Sequence, residues 1–101
     1  MRIIDAHHHL WDLDSLYYPW LTDQIRQVAY GDYVAIRKNY LIDDYRYDIG
    51  SLEVVKSIHV QADHDPRDPI AETAWLQSVA DHPLSRGFPH AIIAFGTQQL
   101  I

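Results

Sequence analysis

Three short apolar runs punctuate the chain. The first, Arg2–Ala6, leads straight into a cluster of histidines. The second, Glu53–Ala62, carries the β-branched residues Val54, Val55, Ile58 and Val60. The third, His90–Phe95, is a compact Ala91-Ile92-Ile93-Ala94 core entered through Pro89 and left through Gly96. Short β-branched runs bounded by turn residues predict strands. Between the second and third runs Asp68 stands at an N-cap position, Pro69 suits the first helical position, and Pro83 closes the segment. Ile70, Ala74, Trp75 and Val79 recur there at helical spacing. Strand, helix and strand in this order predict a βαβ unit with a parallel sheet and a right-handed crossover. A shorter helix is predicted from Asp43-Asp44 to Ile49, with Gly50 as its C-terminal stop.

Side chains alternate across a strand, so odd and even positions carry separate messages. In the first strand Ile3, Asp5, His7 and His9 are expected on one face, with Ile4, Ala6 and His8 on the other. In the second, Ser57, His59, Gln61 and Asp63 oppose Ile58, Val60 and Ala62. Parallel strands in an open doubly wound sheet are apolar on both faces. Strands with polar groups gathered toward their C-terminal ends instead predict a (β/α)8 barrel, whose active site lies at that end. The stretch 10–50 holds all seven tyrosines together with Trp11 and Trp20. It is expected to be a long ordered loop with short helical turns, an insertion that roofs a pocket.

Composition narrows the classes. With 48% apolar and 22% charged residues the chain is globular rather than disordered. At 101 residues it holds one small domain. The net charge of −6 and the lack of any Lys/Arg run argue against a nucleic-acid partner. Without cysteine there is neither a disulfide framework nor a thiolate metal site. No segment approaches the ~20 apolar residues of a membrane span or the apolar core of a signal peptide, so a cytoplasmic protein without a membrane partner is expected.

Two histidines at i and i+2 of a strand project the same way, which makes His7 and His9 candidate ligands of one cation. Neutral imidazole suits zinc, iron or manganese, and zinc is the first expectation. A bound divalent ion lowers the pKa of its water to ~7 and polarises a carbonyl oxygen. Asp5 would orient a ligand histidine or touch the metal itself. His8 is expected to pack beneath a helix, and His59 to be a satisfied core histidine. Gln61 and Asp63, nearer the strand's C-terminal end, are candidate substrate contacts. His64, His82 and His90 carry no functional signal.

Ile4-Asp5-Ala6-His7-His8-His9-Leu10-Trp11 resembles the strand-1 signature Asp-x-His-x-His of the amidohydrolase superfamily. Later segments are similar in order to its amidohydrolase-2 branch, which includes sugar-lactone and dicarboxylate-lactone hydrolases. They are Tyr18-Pro19-Trp20-Leu21, Gly31-Asp32-Tyr33, Tyr40-Leu41, His59-Val60-Gln61-Ala62-Asp63, Ala71-Glu72-Thr73-Ala74-Trp75-Leu76 and His90-Ala91-Ile92-Ile93-Ala94-Phe95. The resemblance implies the N-terminal part, about strands 1–3, of a TIM barrel, with the aromatic insertion over its mouth. It implies metal ligation by His7 and His9, a substrate contact at Gln61, and hydrolysis of a small lactone by a metal-bound or otherwise activated water. Some lactonases of the branch are described as needing no metal, which leaves the histidines free to serve the substrate carbonyl.

Such a barrel needs ~250 residues. The superfamily's ligands on strands 5 and 6 and its aspartate after strand 8 have no counterpart in this chain, and 96–101 leaves the pattern where an acidic residue is expected. The isolated chain, a single partial domain over 1–101, is therefore expected to be an incomplete catalyst. The alternatives are a non-catalytic binding or oligomerising module, homo-oligomeric through open sheet edges, an unstable gene relic, or a small metal-binding α/β domain.

Overall fold

A computed structural model describes residues 1–23 and 36–94. Within it the predicted elements form in the expected order. Strand β1 (Ile3–His8) is followed by a short helix α1 (Pro19–Thr22), helix α2 (Ile42–Ile49), strand β2 (Val54–Val60), helix α3 (Pro69–Asp81), a 3₁₀ turn at Pro83–Ser85 and strand β3 (Ala91–Ile93). The strands form one parallel sheet in the order β1-β2-β3. An α/β fold with a three-stranded parallel sheet is thus what the chain builds. Tyr30, the Gly31-Asp32-Tyr33 segment and Phe95 to Ile101 lie outside the described residues. No described helix is long and apolar enough to cross a membrane.

The helix ends follow from local chemistry. In α2 the Asp44 carboxylate accepts from the Leu41 amide at 2.8 Å, pairing a donor that no helical carbonyl reaches. Gly50 ends this helix at φ +55°, a left-handed conformation that costs glycine little. In α3, Pro69 takes the first position as predicted, but the Asp68 side chain makes no capping hydrogen bond. The apolar stripe also differs from expectation. Ile70 is 74% exposed and Ala74 is exposed, while Glu72 and Leu76 turn inward, one helical turn apart. Glu72 is drawn in because its carboxylate accepts from the Ala62 amide at 3.0 Å, tying α3 to the segment after β2.

One core cluster joins Leu10, Tyr45, Leu76 and Phe88, with Ile42, Ile49, Val54, Trp75 and Ile92 against it. It fills the space between the sheet and its helices. A second cluster of Tyr18, Leu21 and Ala62, flanked by Trp11, Leu13, Leu16 and Trp20, anchors the aromatic insertion. The insertion is clamped where it leaves and rejoins the sheet. Trp11 and Tyr40 exchange backbone hydrogen bonds of 2.9 Å, and Asn39 binds both the Leu13 amide (2.8 Å) and Asp14 (2.9 Å).

The strict alternation expected along β1 does not hold. Asp5 pairs with Ser57 and His8 with His59, so three steps on β1 match two on β2. The extra residue shifts the phase, and Asp5 and His8 come to lie on the same face. That face, with Ser57, His59 and Ile92, is the one the helices cover. The opposite face, carrying Ile4, Lys56, Ile58, Val60, Ala91 and Ile93, is uncovered among the described residues. His8 packs beneath α2 as expected, and the extra residue brings Asp5 to the same covered face.

Candidate active site

The bulge places His7 and His9 at the C-terminal end of β1, turned away from buried His8. His9 lies 2.8 Å through Nδ1 from the Val60 carbonyl oxygen, across the strand pair. A carbonyl only accepts, so Nδ1 carries the proton and Nε2 of His9 keeps its lone pair. That Nε2 stands 3.2 Å from Nε2 of His7, with the rings edge-on at 5.0 Å and 83°. His7 Nε2–H therefore donates to His9 Nε2. Two nitrogens bound to one tetrahedral zinc stand about 3.3 Å apart, so the separation matches two adjacent ligand positions once His7 carries its proton on Nδ1 instead. The remaining positions are not supplied nearby: no group of three or more His, Cys, Asp or Glu side chains suited to a metal occurs among the described residues.

Asp5 does not reach either imidazole. Its Oδ2 accepts from the Tyr45 hydroxyl at 2.8 Å and its Oδ1 from the His7 backbone amide at 3.2 Å. It is a strut between α2 and the backbone of the histidine segment, and the acceptor that orients His9 is the Val60 carbonyl. Burial and the bond to Asp5 push the Tyr45 hydroxyl above its ordinary range, so it remains a donor at neutral pH.

Gln61 and Asp63 do meet His9. Together with Trp11, Trp20 and Ala62 they line a cleft of about 370 Å³. Asp63 adopts φ +53°, uncommon for a residue with a Cβ, and its amide donates to Gln61 Oε1 at 2.8 Å. The Gln61 amide continues the sheet by donating to the Ile93 carbonyl at 2.9 Å. The two indoles stand edge to face at 5.8 Å, and Trp20 Nε1 is held by the Ala62 carbonyl at 2.9 Å. Sequence reading named the two tryptophans only as members of an insertion over a pocket. Neither tryptophan stands in a distinguishing spacing, and the Val60 carbonyl that orients His9 has no side-chain signature at all.

Behind this front the buried imidazoles are structural. His8 stacks on Tyr45 at 4.2 Å and pairs with the Ser57 hydroxyl at 2.9 Å. His59, fully buried, accepts the Leu10 amide through Nε2 at 2.8 Å and so pins the chain just after His9. Burial holds both pKa values down to about 4, so both rings are neutral at pH 7. His59 was expected to be a satisfied core histidine, yet its Nδ1, like that of His8, is buried without a partner among the described residues.

No protein-family model and no solved structure matches the chain. An uncharacterized protein of Sinorhizobium fredii (strain NBRC 101917 / NGR234), y4mH, is 50% identical over 95 residues, which is 94% of this chain and 31% of the relative. The chain therefore spans about a third of the length of the curated relative it matches, and it shares half of its residues with that part.

Proposed function

We propose that this chain is the histidine-bearing portion of a (β/α)8-type hydrolase that opens a small cyclic ester, a sugar lactone or a compound like it, with an activated water. The observation that carries the reading is the convergence of His7 and His9 through their Nε2 atoms at the C-terminal end of a parallel sheet. A cleft containing Gln61 and Asp63 opens beside them. The resemblance of the strand-1 signature to the amidohydrolase-2 branch supports the same reading.

In this proposal His9 presents a lone pair fixed by the Val60 carbonyl, and His7 completes a two-imidazole edge. A divalent cation, zinc first, would supply Lewis acidity toward the ester carbonyl and acidify water there. Without one, His7 Nε2–H is itself a donor toward a carbonyl oxygen. Gln61 and Asp63 offer an amide and a carboxylate to the hydroxyls of the substrate, and the Trp11 and Trp20 indoles give its ring a dry wall. The group that takes the proton from water lies outside the described residues, so the whole enzyme needs the rest of a y4mH-like chain.

The test uses a full-length protein carrying this segment, assayed against a panel of aldonolactones by acid release, before and after chelation. Turnover that falls at least 100-fold in His7→Ala/His9→Ala supports the reading. Turnover equal to the parent's in that double variant removes it.

A further inference from the structure

We infer that the uncovered face of the sheet is a docking surface for a second stretch of polypeptide, the part that y4mH carries outside its matched third. The strand register defines this face. Ile4 is level with Lys56, Ile58 with Ala91, and Val60 with Ile93, which puts all six side chains on the side away from the helices. Ile4 is 61% exposed and Ile93 53% exposed, on the two outer strands. Each outer strand has one sheet neighbour among the described residues, so the edges beside these residues are open as well. A β-sheet is stable when both faces are covered or when its open face is polar. This face is five-sixths apolar, and no helix among the described residues covers it.

The occupant's chemistry follows from Lys56. It is the one charge among the six, and no carboxylate accompanies it on the face among the described residues. A second copy of the chain packed face to face would bring another lysine and no acid, leaving two ammonium groups beside an apolar contact. The partner therefore offers an apolar surface with a carboxylate where Lys56 arrives. The occupant we assign is the remainder of such a chain: the match is 50% identical and covers 31% of y4mH, so 69% of that relative lies beyond it. The inference is independent of the hydrolase reading, because its readout is binding and needs no turnover.

The experiment is co-expression of this chain with a tagged polypeptide made of the y4mH residues outside the match, followed by co-purification, light scattering and amide exchange. The expected result is a one-to-one complex in which β1, β2 and β3 gain protection. Ile4→Asp with Ile93→Asp should weaken the complex at least tenfold, and so should Lys56→Glu. Ile70→Asp, on the exposed side of α3, should leave it unchanged. Both substituted isoleucines are solvent-exposed in the chain alone, so its circular dichroism should not move. Failure to associate when both polypeptides are soluble and structured would overturn the inference. So would a complex indifferent to Ile4→Asp/Ile93→Asp, or a homodimer of this chain that those substitutions dissolve.

Discussion

Replacing Tyr45 with phenylalanine takes one hydroxyl from the contact between α2 and β1 and leaves the ring in place. That ring is 4% exposed among Leu10, Leu76 and Phe88, and it stacks on His8 at 4.2 Å. Its hydroxyl donates to Asp5 Oδ2 at 2.8 Å. A hydrogen bond to a charged group contributes roughly 1.5–3 kcal/mol, and water can partly replace the donor at a half-buried carboxylate, so Tyr45→Phe should cost about 1–2 kcal/mol. With an m-value near ~1.5 kcal/mol/M for a small domain, the urea midpoint should fall by about 1 M. Asp5→Ala removes the same bond from the other side. In a double-mutant cycle the pair should therefore cost little more than Asp5→Ala alone, with a coupling of about 1–2 kcal/mol. A Tyr45→Phe midpoint within roughly 0.2 M of the parent, or two losses that add, would show that the strut carries no energy.

Two further outcomes follow from buried titrating groups. His8 and His59 are held to about 4 in the folded chain by burial, against an unfolded value near 6.5, so the unfolded chain binds more protons between those limits. Stability should be full above pH 6.5 and fall as pH drops toward 4, by up to about 1.4 kcal/mol per pH unit for each ring. A urea midpoint that is flat from pH 7 to 4.5 contradicts the buried neutral imidazoles. Glu72 runs the other way: burial raises its pKa, so its contribution is most favourable in acid and declines as pH rises above the unfolded carboxyl value. Glu72→Gln keeps an acceptor for the Ala62 amide and removes the desolvated charge. It should raise the melting temperature at pH 8 and leave it nearly unchanged at pH 4; a lower melting temperature at pH 8 would show that the charge itself is needed.

The relation between strut, pair and cleft explains why the chain commits buried polar groups so near its surface. Asp5 fixes the His7 backbone, the Val60 carbonyl fixes the His9 ring, and His59 fixes Leu10 immediately after it. His7, His9 and Leu10 are thus held from β1 and β2, with Tyr45 of α2 behind Asp5. Preorganisation of this kind keeps the two imidazoles facing each other.

What the sequence determined by itself was local. Proline at the start of α3, glycine at the end of α2 and β-branched runs for β1 and β2 are properties of neighbouring residues, and they placed the elements close to where they form. The His7/His9 spacing was legible for the same reason: two side chains two residues apart lie on one side of an extended chain. Gln61 and Asp63 were legible as groups just beyond the end of β2. The tertiary structure decided what depends on distant partners. Register against β2 inserted the extra residue between Asp5 and His8, and that single shift sent Asp5 to Tyr45 and His8 to Ser57 beneath the helices. Partners 49 and 51 residues away gave His8 and His9 their different roles. Glu72 went inward because a backbone amide in the segment after β2 needed an acceptor, overriding the apolar stripe that spacing alone predicts. Alternation names two faces of a strand, but which face is covered is settled by where the helices pack, and that is a property of the whole fold.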